Sequence, residues 1–290
     1  MARHQNATKA PAPNLSERIA QLSAKRQEII RPILEQPRDY VLLSVRAMAK
    51  HLKTDPATIV RIVRGLGFGS YREFQRHLHN LSIAFATSLD TMQAAVGQDS
   101  SIPGHIRRSL EQDLKNLQGL KNSLDARRLT AVAKRLYTAR RILLLAGDLA
   151  TTLAFFFDYQ ASVLGLPMFS ATSPGRITHL VRNVSSKDVV IAISFRRGLR
   201  HTVEGLAQAR SRGAHCIGIA DTFLSPVARH CDELFLAPVE SPSFAASYVA
   251  PMALLNALLA ACGEVRRPRT LALMKQVAEE QRKGFRWWAS

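Results

Sequence analysis

The sequence predicts an α/β protein in two parts: an all-helical head carrying a helix-turn-helix, and a three-layer domain in which a five-stranded parallel sheet lies between helices. Three observations carry this prediction. Residues 44–74 show two short helical periods joined by a tight link. From Arg141 onward, five short apolar runs alternate with helical stretches. Those runs are apolar on both faces, as strands buried on both sides must be, rather than alternating between a dry and a wet face. At 290 residues the chain is long enough for two such parts, each with its own core.

Residues 1–14 are polar, carry Pro11 and Pro13, and lack the apolar centre of a secretion signal, so they read as a flexible leader. Residues 15–90 form the head. Ile19, Leu22, Ile29, Ile30, Ile33 and Leu34 suggest one or two helices, with Pro32 at a joint or first turn and Pro37 closing them. A short helix follows over residues 45–52, with Val45, Met48, Ala49 and Leu52 apolar. After the link Lys53-Thr54, Asp55 can accept from the first free amides of a second helix, and Pro56 sits where a missing N–H costs nothing. Ile59, Ile62, Val63 and Leu66 define its buried stripe, and Gly65 and Gly67 end it. Helix, turn and reading helix are thereby in place. A further helix runs to about residue 86 with Leu78, Leu81 and Phe85 in register.

The outward face of the second helix suits a major groove. It is slim at its start, with Ala57 and Thr58, and carries Arg61 and Arg64 further along; arginine bonds guanine bidentately or clamps phosphate. Ser44, Lys53, Asp55, Ala57, Thr58, Arg61 and Arg64 are the expected DNA-binding set. The net charge of +18 is unevenly spread: residues 1–80 hold 14 Lys and Arg against 6 Asp and Glu, and residues 81–290 hold the other 26 against 16 over more than twice the length, so the N-terminal part is the denser cation of the two. Charge alone fits an anionic membrane surface equally well, and a solvated basic face is the bland alternative.

Residues 97–104 read as linker by composition, and residues 91–125 as linker plus linker helix. Amphipathic helices are expected over residues 105–122 and 125–138, with Leu110, Leu114, Leu117 and Leu120 facing one way. The sheet domain spans residues 126–265. Its strands are expected at 142–146, 167–171, 189–194, 216–220 and 233–237, and its helices at 150–164, 176–184, 201–212 and 225–230. Such a sheet takes ligands beyond the carboxyl ends of its strands, where strand order reverses. A nearly all-apolar helix over 244–261 and a basic one over 270–285 complete the chain, within a C-terminal region of residues 266–290 in which Trp287 and Trp288 dock as a tail or bind a partner.

Cys216, Cys231 and Cys262 are widely spaced in apolar surroundings, so neither a disulfide framework nor a metal site follows, and a reducing cytoplasm is the expected compartment. No uninterrupted apolar run approaches the roughly 18 residues of a bilayer span. No cofactor motif is found.

The chain resembles the RpiR family of bacterial transcription regulators, whose C-terminal half is a sugar isomerase (SIS) domain. The resemblance rests on residues 43–49, on Asp55-Pro56-Ala57-Thr58-Ile59-Val60-Arg61, and above all on Arg64-Gly65-Leu66-Gly67-Phe68 with Tyr71-Arg72-Glu73-Phe74. In the second half it rests on Asp188 to Ser194, residues 209–213, and Asp221 with Ser225-Pro226-Val227-Ala228. It implies two loops that hold a sugar phosphate with hydroxyls and helix-terminal amides.

This sequence departs from both loops. The first, usually Gly-x-Gly-x-Ser, reads Ala146-Gly147-Asp148-Leu149-Ala150, with Thr151 the nearest substitute hydroxyl. The second, usually Ser-x-Ser-Gly-x-Thr, reads Ser194-Phe195-Arg196-Arg197-Gly198-Leu199. Asp148 would repel a phosphate, whereas Arg196, Arg197 and Arg200 would grip an anion. Gly147, Asp148, Thr151, Ser194, Arg196, Arg197 and Arg200 are the expected effector-binding set. The opposing reading pairs Arg196 and Arg197 with Asp148, Asp158 or Glu204 in a pocket that binds nothing. The expected function is a DNA-binding regulator, a repressor, working as a homodimer or homotetramer on an inverted-repeat operator under an anionic effector. The alternative is a sugar-phosphate isomerase with Glu204, Glu240 or His201 as base, but no spacing groups these residues.

Overall fold

A computed structural model of the chain describes residues 15–35, 37–41, 43–84, 92, 101–196, 198–223 and 225–282. The leader at 1–14, Phe85, residues 97–100, Arg197, Trp287 and Trp288 lie outside them. The chain divides into two compact units, residues 1–85 and 86–290.

The first unit is helical: α1 (Leu15–Ala20), α2 (Ala24–Glu35), α3 (Pro37–Tyr40), α4 (Val45–His51), α5 (Pro56–Gly65) and α6 (Tyr71–Ala84). Ile30, Ile33, Met48, Ile59, Ile62, Phe74 and Leu78 fill its core. The buried stripe of α5 is the one its spacing predicts. Pro32 corrects the sequence reading, because it lies inside α2. Its missing N–H forfeits one helical bond, and the burial of Ile30, Ile33 and Leu34 around it holds the helix together. Pro37 opens α3 instead of closing α2, at a first-turn position where no N–H is needed.

The second unit runs α7 (Ile102–Ser123), α8 (Ala126–Thr138), β1 (Ile142–Leu145), α9 (Thr151–Val163), β2 (Met168–Ala171), α10 (Pro174–Val181), β3 (Val189–Ile193), α11 (Arg200–Ser211), β4 (His215–Ala220), β5 (Glu233–Leu236), α12 (Val249–Val265) and α13 (Arg267–Arg282). Ile102, Pro103 and Gly104 are helix, not linker: the Ser101 hydroxyl accepts the Gly104 amide at 3.1 Å, and Pro103 occupies the first turn. The short helix expected over residues 225–230 is a 3-10 turn, Pro226–His230, preceded by Ser225. The apolar helix expected from Phe244 starts at Val249, because the Ser247 amide is held by the Val239 carbonyl and the Ser247 hydroxyl by Asp113.

All five strands are parallel, in the order β2-β1-β3-β4-β5. Alternate residues divide between two cores, as the pleat requires. Ile142, Leu144, Ile191, Ile217 and Ile219 face α8, α9 and α12, through Leu136, Phe157 and Leu254 among others. Leu143, Leu145, Val190, Ala192 and Cys216 face α10 and α11, through Ile177, Val181 and Leu206. Gly205 lets α11 approach closely, since a Cβ there would lie 2.5 Å from Ile177 Cγ2.

One polar anchor ties the amino ends of β1 and β3 together. The buried Asp188 carboxylate accepts from Arg140 Nε at 2.9 Å and Nη2 at 2.6 Å, and from the Ser185 amide at 2.8 Å. Burial alone would raise its pKa, but Arg140, the Ser185 amide and Arg141 outweigh it, and the carboxyl titrates below its ordinary value. A depressed carboxylate stabilises the fold above its unfolded pKa of about 3.9, and the contribution is lost as pH falls through the folded value. Asp188→Ala is therefore expected to lower the unfolding free energy by about 3 kcal/mol at pH 7. In urea titrations its deficit should shrink as pH drops below about 4.

Candidate functional site

The residues expected to bind DNA lie in the first unit and those expected to bind an effector in the second. In the head, Ser44 caps α4 by accepting the Ala47 amide at 3.2 Å. Asp55 caps α5 by accepting the Thr58 amide at 2.8 Å. The Thr58 hydroxyl also donates to Asp55 Oδ2, at 2.5 Å, and these bonds hold the Asp55 carboxyl below its ordinary pKa. Thr58 thus spends its proton inside the cap, leaving its methyl and oxygen lone pairs on the surface. Lys53 turns the link in the left-handed region at φ 51°, and Gly67 ends the reading helix at φ 88°. Lys53, Asp55, Ala57, Arg61 and Arg64 are exposed, as is Ser44, and Thr58 is half-buried. Tyr71 fixes the start of α4 by donating to the Leu43 carbonyl at 2.7 Å, and burial pushes its pKa up to about 12, so it stays a donor.

In the second unit the chain leaves β1 for β2 on one side and leaves β3 for β4 on the other, so the order reverses between β1 and β3. The crevice beyond their carboxyl ends is bordered by Gly147 and Asp148 after β1, by Ser194 and Arg196 after β3, and by Asp221 after β4. Asp148 and Arg196 both hold left-handed backbone, at φ 51° and 58°. Such a conformation costs a non-glycine residue roughly 1 kcal/mol or more and must be held by its surroundings. For Arg196 the hold is visible: its amide donates to Asp221 Oδ1 at 3.0 Å. Burial raises the pKa of Asp221, with Glu240 adding to the effect and Arg196 opposing it, and its Oδ2 is buried without a hydrogen-bond partner.

Leu199 closes part of the crevice. A Cβ at Gly147 would stand 2.5 Å from Leu199 Cδ1 and 3.7 Å from Thr202 Oγ1, so the β1 loop passes directly under the leucine with the buried Thr202 behind it. Gly198, at φ 69°, leaves similar room for the buried Ser194, whose Oγ lies 3.1 Å from where a Cβ would be. Helix α11 starts here with no side chain capping it, so its first amides lack helical partners and favour an anion. Tyr248 packs against Phe195 with ring centroids 5.2 Å apart and planes tilted by 51°, and burial, aided by Asp148 and Asp221 and opposed by Arg196, raises its pKa to about 12.

The topology therefore gathers Gly147, Asp148, Ser194 and Arg196, and adds Thr202, Asp221 and Tyr248, which the motif reading did not select. Thr151 opens α9 beside this loop, half-buried. Arg200 is exposed and lies 3.9 Å from the exposed Glu204, a pair worth little in water. Asp158 is engaged by the Ser170 hydroxyl at 2.6 Å. Among the described residues Arg196 forms no ion pair within 4 Å, and Arg197 lies outside them. His201, Glu204 and Glu240 are exposed, the first two on α11 and Glu240 in the segment between β5 and α12.

Residues 11–85 match the helix-turn-helix domain of the rpiR family, and residues 135–261 match the SIS domain. An uncharacterized HTH-type transcriptional regulator of Haemophilus influenzae is 26% identical over 216 residues, covering 73% of this chain and 74% of that protein. The regulator HexR of Pseudomonas aeruginosa is 24% identical over 221 residues, 74% of each chain. Among solved structures, the sugar isomerase domain of an RpiR transcription factor from Sphaerobacter thermophilus superposes with a TM-score of 0.57 at 26% identity, over 60% of this chain and 98% of that one. The Vibrio vulnificus NanR protein complexed with ManNAc-6P does so at 0.57 and 19% identity, over 91% and 95%.

A carboxyl whose folded pKa is raised costs the fold nothing below its unfolded value and most above its folded value. Asp221→Asn keeps an acceptor for the Arg196 amide and removes the buried charge. Its melting temperature is expected to equal that of the wild type near pH 4 and to exceed it increasingly as pH rises to 8. Asp221→Leu, which leaves the Arg196 amide without that acceptor, is expected to melt below the wild type throughout.

Proposed function

This chain belongs to the RpiR family of helix-turn-helix transcriptional regulators with a C-terminal SIS domain, and from that premise we propose that it is a repressor whose DNA affinity is set by an anionic metabolite in the β1–β3 crevice. The curated relatives it matches are transcriptional regulators rather than enzymes. The observation that carries the reading is the exposed face of α5, where Ala57, Arg61 and Arg64 stand on a helix whose start is fixed by Asp55. Small residues at the front let the helix reach base edges, and arginines behind supply guanine and phosphate contacts.

In this proposal residues 15–90 read DNA, residues 126–265 hold the effector, and residues 91–125 join them. A two-fold dimer would set two heads on half-sites about 10 base pairs apart, or a multiple of that. The effector is a phosphorylated sugar or a related anion; the NanR protein, whose fold the chain shares, is complexed with a sugar phosphate. Here the Arg196 guanidinium and the uncapped start of α11 attract the charge, while Ser194 and Thr202 supply hydroxyls. Regulation follows if the effector favours one of two arrangements of the heads.

Arg61→Ala is expected to weaken binding to the upstream DNA of the regulated gene by about 1 to 3 kcal/mol and to relax specificity at one base pair of each half-site, read by fluorescence anisotropy. Binding unchanged by Arg61→Ala would count against the reading helix. In calorimetry with a panel of sugar phosphates, Arg196→Ala should weaken the binding ligand at least tenfold, about 1.4 kcal/mol; equal affinities would sink the arginine grip.

A further inference from the structure

Because the strands are parallel, all five start at the end of the sheet opposite the crevice, and cations stand beside each start. Arg140 and Arg141 precede β1, and Arg269 donates to the Gly165 carbonyl before β2 at 3.3 Å. Arg182 and Lys187 lie between α10 and β3, Arg210 and Arg212 at the end of α11 before β4, and Arg229 before β5. Helix α8 crosses the same end: Arg128 Nε donates to Glu233 at the start of β5 at 3.0 Å. The charge of Arg135 reaches His215 at the start of β4, whose pKa is held down by burial and then by that arginine. Arg266 lies over the Tyr137 ring at 5.1 Å.

Part of this charge is used within the fold. Arg140 and Arg141 hold Asp188, Arg128 holds Glu233, Arg210 lies 3.9 Å from Asp232, and Arg267 pairs with Glu264. Helices α10 and α11 end here too, and each C-terminus carries about half a negative charge that a neighbouring cation offsets. A surplus remains. Arg135, Arg182, Lys187, Arg212, Arg229 and Arg266 are all exposed, and among the described residues none of them has a carboxylate within 4 Å. Five strands about 4.8 Å apart make this end roughly 20 Å wide, the length of about six base pairs of duplex.

We propose that this end of the sheet domain is a second contact for duplex DNA, which grips the phosphate backbone without reading sequence and is separate from the surface of α5. Apart from Lys187 the surplus cations are arginines, whose planar fork bonds phosphate bidentately. Among the described residues, no exposed large apolar side chain stands in the segments before β1, β3, β4 or β5. A protein or membrane partner would find no aromatic or aliphatic anchor there. A backbone contact needs none, because each neutralised phosphate releases counterions and that release supplies the affinity. The proposal goes beyond the roles assigned to α5 and the crevice, and rests on the regulator reading only in taking DNA as the polyanion.

The test is fluorescence anisotropy of the full chain with Arg182→Gln, Lys187→Gln and Arg212→Gln, made singly and together. Two duplexes are compared between about 50 and 200 mM salt, one carrying the upstream DNA of the regulated gene and one of scrambled sequence. Among the described residues none of the three side chains makes a hydrogen bond or ion pair, so the melting temperature should hold. The triple variant is expected to bind both duplexes at least tenfold more weakly at about 100 mM salt and to keep the wild-type ratio between them. Its slope of log affinity against log salt should be shallower by about 2 to 3 per chain. Wild-type affinity and slope in a folded triple variant would overturn the proposal, and so would a loss confined to the upstream duplex. Loss of binding to phosphatidylglycerol vesicles with DNA binding unchanged would also overturn it, by assigning the face to a membrane surface. Should the triple variant fail to fold, each single variant must lower the slope by about 1, and unchanged slopes overturn it. A wild type with no preference for the upstream duplex, alongside a triple variant that still loses slope, removes the reading helix and leaves this face standing.

Discussion

Every group assigned to the ligand crevice is there because the sheet reverses its strand order between β1 and β3. The reversal sends the two outgoing loops in opposite directions and leaves their starts facing one another, with no connection crossing the gap. It needs a sheet buried on both faces, which five short strands of Leu, Ile, Val and Ala provide. It also needs the opposite end of the sheet to be closed, which Asp188 does by joining Arg140 and Arg141, before β1, to the start of β3.

Within the crevice, strain and charge are distributed rather than cancelled. Two non-glycine residues sit in left-handed backbone, and the amide of one is held by a carboxylate that burial keeps from ionising readily. The acidic groups Asp148 and Asp221 and the basic Arg196 all act on Tyr248. In the head, Asp55 both starts α5 and holds the Thr58 hydroxyl, so Thr58 is positioned by the cap itself.

The fold was legible because its signals are local. An Asp-Pro cap, a stripe at Ile59, Ile62, Val63 and Leu66, and runs such as Ile142 to Leu145 each report on their own segment. The ends of elements were less so: Ser101-Ile102-Pro103-Gly104 has the composition of a loop and the chemistry of a helix start, and the apolar stretch after Phe244 is held back from helix by contacts of Ser247 with Val239 and Asp113. The crevice was half legible. Gly147, Ser194 and Arg196 follow apolar runs and could be placed at strand ends, but Thr202, Asp221 and Tyr248 come from a helix turn, a third strand and a late loop, and only topology gathers them. Asp221 did carry a signal, as the first polar residue after the run ending at Ala220. The spacing that groups Leu110, Leu114, Leu117 and Leu120 gives this face of α7 its period and not its direction: Leu110 and Leu114 are exposed and Leu120 is buried.

The claim that the slim, basic face of α5 reads duplex DNA as a symmetric pair is tested most directly by selection of binding sites from random duplexes with the full-length protein at physiological salt. The account predicts enrichment of two inverted half-sites whose centres are separated by about 10 base pairs or a multiple of that. Retention of duplexes without any sequence in common, or enrichment of a single unrepeated site, would contradict it.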